Sequence, residues 1–484
     1  MVTSNNHSLL TSQKQSSTFT VVLVLVSCGA TSAFAWSTNP LINTPISAAS
    51  GNQLASQIVS DGAGGNIFVW QDQRAAPSNA DIYAQRVDSN GVAQWTANGV
   101  PVCTSAGNQT VPQVLSDGSG GVLITWQDAR SGISNDIYAQ RVNSSGVSQW
   151  TANGVIVSNA TGDQTNPQMA PDSSNGAIIA WEDTRNGNED VYSQRIDLSG
   201  VSQWTPNGVV ICTATGDQFE PTLVRDGLGG AIVAWDDGRT TSDIYAQRVN
   251  SAGLAQWTAD GVALCTATDY QYNTRITSDG SGGAIVAWQD YRTATADIYS
   301  QRVNGSGVPQ WAADGVPVCI ASNTQSAPQI VGDGLGTAIV VWQDLRGGGF
   351  NNDIYAQRLG GSGSPQWTVD GVAVCTETSD QSRPQIASDG SSGAIITWED
   401  LRGYFDIYAQ RVNSAGTAQW TTDGIAVCTA SDQQTNAAIA TDGSGGAIIA
   451  WRDLRSAANI DLYASRVSGA GALLPVSLSR LALE

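Results

Sequence analysis

Lysine and histidine are almost missing from this chain of 484 residues. The only lysine is Lys14 and the only histidine is His7, so the positive charge beyond them comes from arginine alone. This excludes a Ser-His-Asp triad, histidine-ligated zinc, a Schiff-base lysine and a P-loop lysine from the rest of the chain. The formal net charge of −20 also makes nucleic acid and anionic membrane surfaces poor partners.

Long apolar runs are equally scarce. The longest, residues 19–26, is too short to cross a bilayer and is followed by Ala33-Phe34-Ala35, a small-residue cleavage pattern. Residues 1–35 are therefore predicted to be a signal peptide that is cleaved before Trp36, which places the protein outside the cell or on its surface. The alternative is a lipid anchor on Cys28, since residues 25–28 resemble a lipobox. No later run approaches the ~20 residues of a membrane helix, so no integral membrane span is expected.

Six further cysteines hold the same place in successive sequence repeats, and the third such place carries Ser158. Repeat-equivalent positions are separated by a whole structural unit, whereas a disulfide requires Cα atoms within ~7 Å. We predict small, buried, free thiols, with a disulfide framework as the alternative. The six are Cys103, Cys212, Cys265, Cys319, Cys375 and Cys428.

Internal repetition dominates what the sequence does contain. A W-x-D-x-R element occurs eight times, at intervals of 53 to 56 residues. Each unit contains a short apolar run ending in this element, an alternating D-I-Y-A-Q-R-V segment and a Q-W segment, separated by glycine-rich turns. Four short strands per unit predict an all-β fold, a single eight-bladed β-propeller of four-stranded antiparallel blades. A β-solenoid is the alternative. The eight tryptophans are Trp70, Trp126, Trp181, Trp235, Trp288, Trp342, Trp398 and Trp451.

The ends of the chain indicate how the ring closes. The eighth unit lacks its Q-W segment, while residues 36–53 align with residues 95–109, where the first unit has it. We predict a propeller over residues 36–470, in which an N-terminal strand within residues 36–50 completes the last blade, followed by a tail of residues 471–484. Closure removes the sheet edges that would otherwise favour aggregation, and we expect a monomer.

The repeat resembles the bacterial neuraminidase (Asp-box) repeat of sialidase-like β-propellers, and more closely that of uncharacterised secreted bacterial propellers. The segment Asp88-Ser-Asn-Gly91-Val-Ala-Gln-Trp95 corresponds to the S-x-D-x-G-x-T-W box with one extra residue, and Asn143 is among the asparagines that replace the aspartate in other units. The resemblance covers nearly the whole chain after residue 36 and implies the fold. A sialidase is expected to begin with an F/Y-R-I-P motif, which is absent.

The repeated charges are interpreted as structural. Asp72, Arg74, Asp81 and Arg86 recur in every unit, whereas one substrate needs only one site, so we expect carboxylate–arginine pairs that hold each blade. No catalytic residue and no cofactor is predicted from them. Calcium is the one metal alternative, because aspartate outnumbers glutamate, but no D-x-D-x-D-G loop occurs.

Binding residues are sought where the repeat is broken. The second-to-third-strand loops and the blade-to-blade loops vary, and antiparallel order places both sets on one face of the disc. The residues that break the pattern are aromatic or charged, belong to units four to seven, and are predicted to lie in those loops as ligand contacts. They are Phe219, Glu220, Tyr270, Tyr272, Arg275, Tyr291, Phe350, Arg383, Tyr404 and Phe405.

The sequence therefore predicts a secreted or cell-surface propeller that binds a glycan or a protein through its variable loops, without catalysis. One alternative is a degenerate sialidase-like glycoside hydrolase, which needs two carboxylates ~5–10 Å apart near the axis. The other is a purely structural surface protein. The carboxylates available to a hydrolase outside the repeat pattern are Glu182, Glu220, Glu399, Asp236 and Asp269.

Overall fold

The structure is a computed structural model that describes residues 36–474. The predicted signal peptide, Cys28 included, and residues 475–484 of the predicted tail lie outside the described residues. Within residues 36–474 the strands form eight four-stranded antiparallel sheets. The first strand of each sheet lies beside the first strand of the next, and the cycle closes where the eighth sheet meets the first. The predicted eight-bladed propeller is confirmed.

The strands are numbered in chain order and their bounds are as follows. The N-terminal strand is β1 (Thr44–Ser47). Blade 1 contains β2 (Gln53–Ser60), β3 (Asn66–Ala76), β4 (Asn79–Val87) and β5 (Val100–Cys103). Blade 2 contains β6 (Gln109–Ser116), β7 (Val122–Asp128), β8 (Asp136–Val142) and β9 (Val155–Ser158). Blade 3 contains β10 (Gln164–Pro171), β11 (Ala177–Asp183), β12 (Asp190–Ile196) and β13 (Val209–Cys212). Blade 4 contains β14 (Gln218–Arg225), β15 (Ala231–Asp237), β16 (Asp243–Val249) and β17 (Val262–Cys265).

The second half of the ring repeats this plan. Blade 5 contains β18 (Gln271–Ser278), β19 (Ala284–Asp290), β20 (Asp297–Val303) and β21 (Val316–Cys319). Blade 6 contains β22 (Gln325–Gly332), β23 (Ala338–Asp344), β24 (Asp353–Leu359) and β25 (Val372–Cys375). Blade 7 contains β26 (Gln381–Ser388), β27 (Ala394–Asp400), β28 (Asp406–Val412) and β29 (Ile425–Cys428). Blade 8 contains β30 (Gln434–Thr441), β31 (Ala447–Asp453) and β32 (Asp461–Val467), and β1 is its fourth strand.

The second strand is the most deeply buried strand in blades 3 to 8. In β15 every residue is buried, as expected of an apolar strand that is covered on both faces. At the preceding hairpin the Asp226 carboxylate accepts hydrogen bonds from the backbone N–H groups of Leu228 and Gly230. The fourth strand follows a glycine whose replacement by any other residue would strain the backbone and clash with a tryptophan ring. Gly154 has a φ of +90°, and a Cβ there would lie 2.6 Å from the Trp126 ring.

The repeated charges form one network per blade. In blade 1 the Asp72 carboxylate accepts hydrogen bonds from Trp70 Nε1 at 2.7 Å and from Arg74 Nε and Nη2 at 2.8 and 2.7 Å. The Arg74 guanidinium lies 3.7 Å from the ring centroid of Tyr83. Arginine–tyrosine stacks of this kind occur in all eight blades. The predicted carboxylate–arginine pairs are present, with Asp72 bound to Arg74, whereas Asp81 forms no ion pair with any residue of the described chain.

The second repeated arginine connects neighbouring blades. Arg86 pairs with Asp61 of its own blade and donates a hydrogen bond to the backbone carbonyl of Ser144 in blade 2. Trp95 Nε1 donates to the same carbonyl at 3.0 Å. Equivalent tryptophan bonds occur at all eight junctions of the described chain. The arginine bond occurs at seven of them, the exception being Arg141 of blade 2.

The N-terminal segment closes the ring by the same contacts. β1 pairs antiparallel with β32, and Trp36 Nε1 donates to the Ser89 carbonyl at 3.0 Å, as Trp95 does to Ser144 one blade later. Leu474 N donates to the Arg466 carbonyl, which is the bond that Gln94 N makes to Arg86. Leu474 therefore stands where the residue before the tryptophan stands in blade 1. The predicted closure of the last blade is confirmed.

The six cysteines of the described chain are buried and unpaired. Each lies at the end of a fourth strand beside the charge network, as Cys212 does 3.5 Å from Arg239 Nη2. Burial raises the pKa of the Cys212 thiol to about 12, so these groups are protonated at neutral pH.

We expect these thiols to be unreactive in the folded protein and free in the unfolded one. Iodoacetamide at pH 8 should label none of the six thiols quickly in the native chain that begins at Trp36. After denaturation without a reductant, mass spectrometry should count six adducts. Pretreatment with a reductant should leave that count unchanged. Four or fewer adducts without a reductant, rising to six with it, would mean that disulfides exist.

Candidate functional site

The variable loops share one face of the disc. The loop between the second and third strands of one blade bonds to the start of the next blade, as where Gln164 N donates to the Asn135 carbonyl and Asn135 N donates to the Asp163 carboxylate. The glycine-rich turns lie at the other ends of the strands. We call the first the variable-loop face and the second the constant-turn face. The predicted segregation of the two loop sets is confirmed.

An irregularity recurs at the third residue of every first strand. There the strand pairing shifts, and a residue other than glycine adopts a left-handed φ of 48° to 59°. We call these the bulge residues. Such a conformation is costly for side chains with a Cβ, and most of all for the β-branched Val111. They are Ala55, Val111, Asn166, Glu220, Asn273, Ala327, Arg383 and Asn436.

A side chain from the preceding blade accepts the bulge N–H in five of the eight blade junctions. The acceptor is the residue between the tryptophan and aspartate of W-x-D, which we call the latch residue. Glu182 accepts from Glu220 N at 2.7 Å, and Glu399 accepts from Asn436 N at 2.6 Å. The remaining three latches are Asp236 to Asn273, Gln289 to Ala327 and Gln343 to Arg383. These bonds satisfy backbone donors that the bulge removes from the sheet.

The prediction that all ten candidate residues lie in loops is wrong for half of them. The five misplaced residues lie in first strands, within two residues of a bulge residue. The bulge interrupts the alternation by which a strand is recognised in a sequence. Phe219 and Glu220 belong to β14, Tyr272 and Arg275 to β18, and Arg383 to β26. These strands surround the axis, so the residues lie nearer the centre of the disc than a loop position would place them.

Four of the candidates line one cavity between blades 4 and 5. Its volume is about 460 Å³, and we call it the aromatic pocket. Tyr270 is 59% exposed, whereas Phe219 and Tyr272 are half-buried. Tyr291, which was also a candidate, stacks on Tyr272 with ring centroids 5.5 Å apart. The lining residues are Phe219, Glu220, Asp236, Thr240, Thr241, Ser242, Tyr270 and Tyr272.

Two carboxylates of different character face this pocket. Asp236 is fully buried and accepts hydrogen bonds from Asn273 N and from the Thr274 hydroxyl. The pKa of Asp236 is raised to about 7, mainly by burial and also by the charge of Glu220, while the hydrogen bonds from Thr274 and Asn273 and the charge of Arg275 oppose the rise. Glu220 is exposed and its carboxylate makes no hydrogen bond or ion pair with any residue of the described chain. Glu220 is therefore the carboxylate available to a ligand.

The pocket opens towards a channel on the propeller axis. This channel has a volume of about 520 Å³ and is lined by first strands of seven blades, with Glu220 shared with the aromatic pocket. The fifth residue of the first strand faces it and is glutamine in five blades. Arg275 takes that position in blade 5. The five glutamines are Gln57, Gln113, Gln168, Gln329 and Gln385.

A further cavity of about 450 Å³ joins the channel and contains three arginines. We call it the arginine cavity. Its cationic residues are Arg275, Arg383 and Arg452, from blades 5, 7 and 8. Within the described chain, Arg383 is the one of the three that forms an ion pair, with Glu399 at 3.4 Å. The arginine that sequence reasoning missed is Arg452, and the signal was present, since the latch position is Gln, Glu or Asp in the other seven blades.

The remaining candidates lie apart from these cavities. Phe350 is 95% exposed at a loop tip of blade 6, and Tyr404 is 60% exposed in blade 7, with Phe405 half-buried beside it. None of the three lines the aromatic pocket, the channel or the arginine cavity. Asp269, a hydrolase candidate, lies in the loop before Tyr270 and does not line the pocket either.

Residues 36–474 contain neither a cluster of metal-ligating side chains nor a helix that could cross a membrane. No group of three or more acidic, cysteine or histidine side chains there is arranged to hold a metal ion. The same residues contain no helix with the length and apolar character needed to cross a bilayer.

Comparison with known proteins identifies no family and no function for this chain. No family model matches the sequence, and no curated protein matches it. Among solved structures, a protein of unknown function from Dyadobacter fermentans is 10% identical and covers 67% of this chain and 96% of its own, with a TM-score of 0.38. An ulvan lyase of polysaccharide lyase family PL25 is 13% identical over 73% of this chain and 90% of its own, with a TM-score of 0.46. The Hadza microbial sialidase Hz136 is 9% identical over 62% and 66%, with a TM-score of 0.38. All three TM-scores are below 0.5, and the β-propeller fold of this chain rests on its own strand order and blade contacts.

Proposed function

We propose that this protein is an extracellular binding propeller that recognises a glycan on its variable-loop face, with the aromatic pocket as the primary site. The supporting observation is the composition of the pocket, in which three aromatic side chains, three hydroxyl residues and a free carboxylate line one opening. Aromatic faces pack against the C–H faces of sugar rings, and hydroxyl and carboxylate groups exchange hydrogen bonds with sugar hydroxyls. The extracellular setting rests on the sequence of residues 1–35.

The proposal is tested by separating the pocket from the rest of the face. A glycan array with the mature chain selects a ligand, and calorimetry measures its dissociation constant for three double variants. Tyr270→Ala with Tyr272→Ala is expected to weaken binding about thirtyfold, since truncated aromatic anchors cost ~2 kcal/mol or more. Tyr404→Ala with Phe405→Ala, on the same face but outside the pocket, is expected to change it less than threefold.

The third variant controls for the opposite face. Val147 and Leu254 are 55% and 62% exposed on the constant turns, and alanine at both should leave binding unchanged. Loss of binding in this variant, with binding retained in the pocket variant, would place the ligand on the constant-turn face. If the chain captures proteins but binds no glycan, its ligand is a protein and the proposal of a glycan is wrong. No ligand of either kind would support the structural role.

A glycoside hydrolase is the second candidate, and one observation favours it. Asp236 and Glu220 line the same pocket, and with its raised pKa Asp236 is partly protonated at neutral pH, as a general acid must be. Against this, both Asp236 oxygens already hold the bulge of blade 5, and Glu182, Gln289, Gln343 and Glu399 do the same elsewhere. A fluorogenic glycoside panel is expected to show no turnover. Turnover abolished by both Asp236→Asn and Glu220→Gln would establish hydrolysis.

A further inference from the structure

The junction between blades 8 and 1 differs from the latched junctions. At this junction the latch residue is Arg452, which has donors and no acceptor, so it cannot accept the N–H of the bulge residue Ala55. The same cavity contains both residues. In the latched junctions a carboxylate or amide oxygen at the position of Arg452 accepts the N–H of the bulge residue that corresponds to Ala55. Two other junctions of the described chain, between blades 1 and 2 and between blades 2 and 3, also lack a latch bond, but Gln71 and Gln127 at their latch positions carry an acceptor oxygen. Among the described residues, the junction between blades 8 and 1 is the one whose latch position carries no acceptor.

Arg452 also lacks a partner of its own. Its Nε is sealed from solvent and has no hydrogen-bond acceptor, and none of its nitrogens forms an ion pair within residues 36–474. The sixteen arginines of the repeat pattern are all ion-paired, for example Arg455 with Asp453 at 2.5 Å. A buried guanidinium N–H without an acceptor costs more than an ordinary unmet donor, because the group is charged.

The surroundings carry an excess of positive charge. Arg275 and Arg383 line the cavity with Arg452, and among residues 36–474 Glu399 is the one carboxylate that pairs with any of the three. Glu399 is largely committed, because it accepts the Asn436 N–H at 2.6 Å, and Arg383 turns its Nη1 to Asn436 Oδ1 at 2.6 Å. Burial and the charge of Arg383 lower the pKa of Arg452. In a chain of net charge −20 this is a local reversal of sign.

We propose that the arginine cavity binds an oxyanionic group, a carboxylate or sulfate carried by an acidic glycan, whose oxygen takes the place of the missing latch acceptor between Arg452 and the Ala55 N–H. A left-handed bulge residue presents its N–H to such an anion as a backbone nest does. Arg383 and Arg275 supply further charge-assisted donors. The site goes beyond the aromatic pocket, to which it is connected only through the axial channel.

The test compares inorganic sulfate, an oligogalacturonate and a sulfated dextran oligosaccharide, with calorimetric titration at constant ionic strength. Arg452→Gln is the decisive variant, because it restores the residue that blades 1, 2, 5 and 6 have at this position and should fold. This variant is expected to weaken binding of the acidic oligosaccharides at least about tenfold, because one charge-assisted hydrogen bond is lost. The melting temperature without ligand should stay the same or rise. Slower amide exchange at Ala55 on binding is expected for the parent chain alone.

Two controls keep the outcome interpretable. Arg225→Gln removes the same charge from an exposed end of β14 and should leave binding unchanged. Tyr270→Ala with Tyr272→Ala should leave the binding of inorganic sulfate unchanged, so that failure of the aromatic pocket and failure of this site are distinguishable. Tight binding of inorganic sulfate with no gain from the oligosaccharides would identify a free anion as the ligand instead of a glycan. Equal affinities of the parent and Arg452→Gln chains for all three probes, or equal losses in Arg225→Gln, would overturn the proposal.

Discussion

Removal of residues 36–50 is expected to unfold or insolubilise the propeller. The deletion takes away the fourth strand of blade 8 and exposes the outer edge of β32. It also removes Trp36 and Ile46, which are 3% and 4% exposed in a core that joins blade 8 to blade 1. Truncation of one such side chain costs ~2–5 kcal/mol, and the whole free energy of unfolding of a domain is ~5–15 kcal/mol. Thermal melting should show a fall of more than about 10 °C, or no soluble protein.

A circular permutant provides the matched control. In blade 1 Gln94 is followed directly by Trp95, and Leu474 makes the backbone bond that corresponds to that of Gln94. A permuted chain of residues 51–474 followed directly by residues 36–50, so that Leu474 is joined to Trp36, should therefore restore the melting temperature. If the deletion melts within about two degrees of the parent, or the permutant is as unstable as the deletion, the segment does not close the ring.

Replacement of Asp290 by alanine is expected to destabilise the protein by about 3–5 kcal/mol, the typical cost of a buried charge left without its partner. The Asp290 carboxylate is fully buried and accepts from Trp288 Nε1 at 2.8 Å and from Arg292 Nε and Nη2 at 2.8 and 2.6 Å. Without it the Arg292 guanidinium, stacked on Tyr299, loses its only counter-ion among the described residues. The midpoint of urea denaturation measures the loss.

An exposed ion pair in the same fold supplies the comparison. Glu377 lies 3.9 Å from Arg402, and its side chain is 38% exposed. Glu377→Ala should cost less than about 1 kcal/mol, because water screens such a pair. Similar midpoints for Asp290→Ala and Glu377→Ala would mean that the Trp–Asp–Arg network contributes little to stability.

The fold was predictable because the same four-strand pattern occurs eight times in the sequence. The local signals are the apolar second strands, the glycine turns and the absence of a Q-W segment from the eighth unit. Each of these signals is consistent with a closed ring of blades. Trp36 could be assigned to the last blade for the same reason, since its neighbours align with those of Trp95.

The bulges were not predictable, and they control the candidate site. No propensity favours a left-handed Glu220 or Arg383, and in both cases a side chain of the preceding blade accepts the N–H of the bulge residue. With the bulge overlooked, Phe219 and Tyr272 were placed in loops instead of in strands beside the axis. The carboxylates Glu182, Asp236 and Glu399 were recognised as exceptions to the repeat, but their role depends on a contact between blades, which a single unit does not contain.

Hydrogen–deuterium exchange with a bound glycan tests the central claim, that ligands bind on the variable-loop face, most directly. The account predicts slower exchange with ligand in residues 216–222 and 268–275, which carry Phe219, Glu220, Tyr270 and Tyr272, and unchanged exchange in the constant turns of residues 226–230 and 250–254. Slower exchange confined to those constant turns, with residues 216–222 and 268–275 unchanged, would contradict it.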